Sequence, residues 1–112
     1  MILENVNFEF NSYVLKPDAD TILDTLLTYL NNNPKIRIMI SGHTDDQGSE
    51  DYNLELSIDR AKSVYNWFIN NGIESNRLKF TGFGKTHPLF IDTDEKSRTL
   101  NRRVEVKLLD NF

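Results

Sequence analysis

Arg60 is the side chain here most open to a chemical role. Its neighbours one helical turn away would be Leu56, Ser57, Ser63 and Val64. None is acidic, so no local ion pair takes up its charge. Two readings stand side by side. Arg60 is a solvated surface arginine, or it is a planar fork of donors free to grip a ligand carboxylate with two parallel hydrogen bonds. Asp45 lies beside Asp46 and close to Gly48. An aspartate in such a stretch commonly shapes a turn or caps a helix, and it can also accept bonds from an ammonium. Together Asp45 and Arg60 could hold both ends of an amino-acid zwitterion, one charge for each.

Catalysis and metal binding find less support. His43 and Asp45 are closely spaced, but the only other histidine is His87, there is no cysteine, and no H-E-x-x-H occurs. That is too little for a zinc site. No G-x-S-x-G elbow presents a nucleophile. Gly82-Phe83-Gly84 is too short for a phosphate loop and opens no long helix. His43 reads as a structural residue bonded within its own loop, and Tyr65, Trp67 and Phe68 as core and helix surface. Arg102 and Arg103 open a strand, where one can point inward and one outward, paired with the excess of acids. No catalytic residue, metal or cofactor is expected.

These residues need elements to position them. Val6, Phe8 and Phe10 alternate with polar residues, which predicts a half-buried strand. Pro17, Asp18 and Asp20 suit the first turn of a helix. Ala19, Ile22, Leu23, Leu26, Leu27 and Leu30 then form one apolar stripe, ended by Asn31-Asn32-Asn33-Pro34. Ile36, Ile38 and Ile40 predict a second strand, and 42–51 a polar loop. A second helix is expected over about Tyr52 to Asn71, burying Leu54, Ile58, Ala61, Val64, Tyr65 and Phe68, with Gly72 as a left-handed cap. A third strand (Leu78 to Phe83), a loop with Gly82, Gly84 and Pro88, a helical turn near Glu95 to Leu100 and a last strand at Val104, Val106 and Leu108 complete the chain.

The expected fold is an α/β (α+β) two-layer sandwich of order βαβαβ-(short α)-β. Two strand–helix–strand crossovers imply parallel pairing. The last strand is read as antiparallel, so the four-stranded sheet is mixed, with helices on one face. Ligands of such sheets bind beyond the carboxyl ends of the parallel strands. Asn11-Ser12, the stretch 42–46 and the helix segment 53–60 should meet there.

Composition narrows the partners. The chain has 112 residues, 38% of them hydrophobic and 27% charged, which suits one soluble domain with a single core. A net charge of −4 argues against nucleic acid and against a polybasic membrane patch. No apolar run reaches the ~20 residues of a membrane span. Met1-Ile2-Leu3-Glu4 does not begin like a signal peptide.

The motifs reached so far occur together in one known family. The stretches FEFNSYVLKPDA, ISGHTDDQGSEDYNLELSIDRAKSVYNWF, RLKFTGFGKTHPL and LNRRVEV resemble, in that order, the successive signatures of OmpA-like domains. The likeness runs from about Val6 to Leu108. Two departures are the acidic run Ser49-Glu50-Asp51-Tyr52 and His87 after Thr86.

The resemblance implies a non-catalytic module that binds peptidoglycan at the diaminopimelate of the stem peptide. It implies that Asp45 of G-H-T-D pairs with the diaminopimelate ammonium, beside Thr44, and that Arg60 of L-S-x-x-R-A pairs with the carboxylate. Asn53 is implied as a polar contact and Leu56 as pocket lining. Asn11 and Ser12 are implied as a second wall, and Arg102 as lying near the ligand carboxylate or the Asp45 loop. A single domain, 1–112, cut from a longer exported, outer-membrane-associated protein is expected, in the periplasm. The membrane would be reached only through the rest of that protein, and a weak homodimer is allowed. The alternatives are a cell-envelope protein-interaction module that no longer binds the wall, and a wall hydrolase, for which no nucleophile–base set is seen.

Overall fold

The computed structural model describes residues 2–86, 88 and 94–109, and His87 lies outside them. Four strands, β1 (Ile2–Asn7), β2 (Arg37–Gly42), β3 (Leu78–Gly82) and β4 (Arg103–Leu109), alternate with helices α1 (Ala19–Asn32), α2 (Glu50–Asn70) and α3 (Glu95–Asn101). The strand order in the sheet is β1-β4-β2-β3. β2 and β3 pair in parallel, whereas β4 runs antiparallel to both β1 and β2. The sheet is mixed, as expected. Only one of the two crossovers joins paired strands, however. β1 and β2 run in the same direction, but β4 is inserted between them and supplies the backbone partners for both.

One face of the sheet carries the core. Val6, Ile38, Ile40, Val104 and Val106 meet Leu23, Leu26 and Leu30 of α1 and Ala61, Val64 and Phe68 of α2 in a single cluster. Both long helices therefore share that face. The expected stripe of α1 is the buried one, although the helix starts at Ala19 rather than at Pro17. Lys16 to Ala19 forms a turn first, closed by the Ala19 N–H on the Lys16 carbonyl at 2.9 Å. The last carbonyls of α1 are taken up by Arg77, whose guanidinium donates to Leu30 and Asn33 at 2.9 Å and to Ile36 at 3.0 Å. A cation there complements the negative end of the helix.

α2 begins two residues earlier than expected. Ser49 caps it by accepting from the Tyr52 N–H at 3.1 Å, and Glu50 and Asp51 occupy the first turn. Both features favour a helix start. Its far end closes as expected. Gly72 adopts φ +92°, its N–H bonds the Ile69 carbonyl, and the Ile73 N–H bonds that of Phe68, each at 3.1 Å. This is a Schellman closure, with Ile73 buried against the core.

The inward face of α2 differs from the expected one near its start. Asn53, Leu56, Ser57 and Arg60 are buried, and Leu54 is 45% exposed. Two glycines account for the seat of the helix. Gly42 and Gly82 are paired across β2 and β3. A Cβ on Gly42 would lie 1.9 Å from the Ser57 carbonyl oxygen, and one on Gly82 would lie 2.4 Å from Ser57 Oγ. With no side chains below it, α2 rests directly on the strand backbone. Ser57 Oγ then donates to the Leu54 carbonyl (2.7 Å) and accepts from the Gly84 N–H (2.9 Å). Leu54 lies beside Gly84, past the end of β3.

Candidate functional site

A cleft of about 80 Å³ opens where β1 and β2 end, lined by Asn11, Thr44, Asp45, Asn53, Leu56 and Arg60 among others. The three segments expected to converge do so. Two predicted positions behave differently. Phe10 does not continue the alternation of β1: Asn11 takes φ +56°, a left-handed conformation asparagine tolerates, and turns the chain. Phe10 is consequently 57% exposed and stands in the cleft wall. Ser12 is not part of that wall. Its Oγ accepts from the Val14 N–H at 3.1 Å, and its contribution to the site is its carbonyl.

Arg60 is not a surface residue. It is 0% exposed. Nε donates to the Ser12 carbonyl at 2.7 Å, Nη1 to that of His43 at 3.0 Å and Nη2 to that of Glu9 at 3.0 Å. The guanidinium carbon lies 5.4 Å from the centre of the Phe8 ring, within cation–π range. One side chain thus pins the loop after β1 to the loop after β2. These bonds use three of its five N–H groups. Burial lowers its pKa to about 10, with Asp45 opposing the shift and Arg102 adding to it. Arg60 remains charged at neutral pH, and carbonyls, not carboxylates, are its bonded partners.

Arg102 presents the opposite case. It is also buried, but Nη1 meets Asp45 Oδ2 at 3.1 Å and Nη2 meets Glu95 Oε1 at 2.7 Å. Thr99 Oγ1 and the Phe8 carbonyl take two further bonds. Burial pulls its pKa down, but the bonds to Glu95 and Asp45 outweigh that and raise it. The same bond holds the Glu95 carboxyl below its ordinary value. Of the two places the resemblance allowed for Arg102, its ion pair is with the Asp45 loop.

Asp45 is held at both oxygens, by Arg102 and by the Gln47 N–H at 3.0 Å. It is 4% exposed and still lines the cleft. Thr44 Oγ1 donates to the Asp45 carbonyl at 2.8 Å, and the Asn53 amide donates to the Gln47 carbonyl at 2.8 Å. Both bonds brace the Asp45 loop. His43 is structural, but its contacts reach other elements rather than its own loop, as when its backbone N–H donates to the Arg103 carbonyl at 2.8 Å. Its carbonyl serves Arg60, its ring stacks on Phe83 at 5.4 Å, and Nε2 approaches Glu105 at 3.5 Å. Arg103 bonds Glu105 at 3.0 Å, so both arginines of the pair point into buried surroundings.

Several lining residues went unnoticed in the sequence. Gln47, Gly48 and Tyr52 reach the cleft because the Ser49 cap starts α2 early. Glu95 reaches it only through Arg102. Among the described residues no group of acids and histidines could hold a metal ion. No described helix is long and apolar enough to cross a membrane.

The sequence and the fold both have counterparts among known proteins. Residues 7–102 match the OmpA family. The peptidoglycan-associated lipoprotein of Pseudomonas aeruginosa is 37% identical over 100 residues, 89% of this chain and 59% of that protein, so the chain spans little more than half its length. The crystal structure of the peptidoglycan-associated lipoprotein from Burkholderia pseudomallei superposes with a TM-score of 0.90 at 30% identity, covering 94% of this chain and 89% of that one. The C-terminal domain of Helicobacter pylori MotB does so at 0.89 and 26% identity, over 97% and 86% of the two chains. None of these is named as an enzyme. The family match covers most of the chain and falls on the elements that build the cleft, and the chain belongs to the OmpA family.

Proposed function

We propose that this domain binds peptidoglycan non-covalently, without catalysis, through the diaminopimelate of the stem peptide. It would anchor its parent protein, and with it the outer membrane, to the wall from the periplasmic side. The domain is then one part of a longer exported protein. Its relatives include proteins named as peptidoglycan-associated lipoproteins.

The observation that carries the reading is Arg60: a fully buried cation in a small cleft, with N–H groups beyond those given to carbonyls. In this reading they take the carboxylate on the distal centre of diaminopimelate, and Asp45 takes the ammonium on the same carbon. Asn53 and Thr44 hold the Asp45 loop, Leu56 and Asn11 form the walls, and Arg102 orients Asp45. A lysine at that place in the stem has the ammonium but no carboxylate. It would leave Arg60 partly unpaired in a desolvated site, which is unfavourable.

Co-sedimentation with purified sacculi tests this. The domain is expected to sediment with diaminopimelate-type walls and not with lysine-type walls. Asp45→Asn should abolish sedimentation with a folded domain by circular dichroism. Equal retention on both wall types, or full retention of the variant, overturns the site.

A further inference from the structure

Beside the cleft lies a second cavity of about 200 Å³, lined by Asn11, Tyr13, Tyr52, Glu55, Leu56 and Asp59. It shares Asn11, Tyr52 and Leu56 with the first, so whatever leaves the cleft on that side passes through it. Its charge is one-sided: two carboxylates and no cation line it. Glu55 and Asp59 lie one turn apart on α2, an arrangement that disfavours the helix through like-charge repulsion. Neither has a hydrogen bond or ion pair on its carboxylate among the described residues. Tyr13 and Tyr52 are about half-exposed across the opening and offer ring faces and hydroxyls. The Tyr13 backbone is tied to α2 by Ser63 Oγ, which fixes that wall.

We propose that this annex makes the domain select stem peptides whose carboxylate next to the diaminopimelate is amidated. The inference rests on the stem-peptide reading of the cleft. A free carboxylate is an acceptor only and carries a charge of the same sign as Glu55 and Asp59. A primary carboxamide is neutral and supplies two N–H donors to those same acceptors. The glutamate that precedes diaminopimelate in the stem carries such a carboxyl group. That carboxyl is separated from the distal centre held in the cleft by the diaminopimelate side chain and a γ-glutamyl link, which places it beyond the cleft and suits an adjoining cavity that shares Asn11, Tyr52 and Leu56 with it. Specificity here comes from repulsion of the wrong form as much as from attraction of the right one.

The test uses two synthetic stem tripeptides, identical except that the glutamate α-carboxyl is free in one and amidated in the other, titrated into the 112-residue chain by calorimetry. The amidated form is expected to bind about three- to tenfold more tightly at low salt, the scale of one or two exposed like-charge contacts. The gap should narrow as salt rises. Glu55→Gln with Asp59→Asn should tighten the free-acid form and remove the preference. Equal binding of both peptides to the unaltered domain, or a preference that survives the double variant, overturns the proposal. Failure of both peptides to bind the unaltered domain would instead refute the cleft reading. A further readout uses a disaccharide-bearing peptide: if the annex took a sugar ring, that ligand would outbind the amidated tripeptide, and Tyr13→Ala would erase the gain.

Discussion

Replacing Arg60 by lysine keeps the charge and removes the geometry. The guanidinium reaches three carbonyls, on Glu9, Ser12 and His43, that come from two loops 17 to 51 residues distant in sequence. A lysine ammonium is a compact point at the end of a flexible stem. It can serve one of these carbonyls and leaves two without their charged donor, and such a bond contributes about 1.5–3 kcal/mol. Water entering the vacated space recovers part of this. A net loss of about 2–3 kcal/mol is expected, which lowers the urea midpoint by roughly 1 M at a slope of 1–3 kcal/mol per M. Arg60→Ala should lose more, since it also removes the packing against Phe8, so an alanine at this position does not leave the domain's stability untouched. Binding is read separately. Without paired planar donors for a carboxylate, loss of about 2 kcal/mol or more, roughly thirtyfold, is expected in stem-peptide affinity. An unchanged midpoint would refute the carbonyl pin. Unchanged affinity in a destabilised domain would refute the ligand role and leave Arg60 a purely structural residue.

Two further outcomes follow from the packing and the carboxylates. Gly42→Ala places a Cβ 1.9 Å from the Ser57 carbonyl, so α2 must lift; a loss of about 1–3 kcal/mol or more is expected by denaturation, with weaker wall binding because Arg60 and Asn53 move with the helix. Asp94, Glu95 and Glu105 have pKa values lowered from 3.8, 4.5 and 4.5 by folding. The Ser97 bonds lower that of Asp94, and the Arg102 bond that of Glu95. For Glu105, burial pushes the other way but is outweighed by Arg103 and Lys107. Such groups contribute stability that is fully present above their unfolded values and lost as pH falls through the folded ones. Stability measured against pH should therefore decline from about pH 4.5 downward, and less steeply in Glu105→Gln; an equal decline in that variant removes Glu105 from the account.

The apolar periodicities carried most of the fold. The α1 stripe and the inward isoleucines of β2 are local patterns, and burial follows them directly. The place of β4 was not legible, because hydrophobic alternation gives a strand's faces and not its neighbours. Phe10 broke its pattern for a reason in the next residue, the left-handed Asn11. Leu54 looked like core because the helical spacing includes it, while the seat of α2 is set by Gly42 and Gly82, which contribute space rather than contacts. At the site, the absence of an acidic helical neighbour did single out Arg60. What it could not reveal was burial, since the carbonyls that make burial tolerable come from loops far away in the chain.

The two buried arginines show how such a cleft separates its charges. Arg102 and Arg60 are the same residue type, close to the same aspartate, yet their pKa values shift in opposite directions. Arg102 is neutralised within the protein by Asp45 and Glu95. Arg60 has only dipoles for bonded partners, and carbonyl dipoles compensate a buried guanidinium less than an ion does. The anionic end of a zwitterion therefore gains most at Arg60, where it relieves a charge held at a cost, and little at Arg102, where it would compete with two carboxylates. In the proposed reading Asp45 takes the ammonium, with Arg102 and the Gln47 N–H fixing its orientation at the cleft wall. The arrangement predicts its own thermodynamic signature: a ligand carboxylate should raise the pKa of Arg60 toward its ordinary value, and a ligand with an ammonium alone, a like charge that offsets Asp45, should not raise it. Guanidinium resonances followed by NMR at high pH, with each ligand in turn, distinguish the two. No difference between them would mean that the carboxylate does not sit on Arg60.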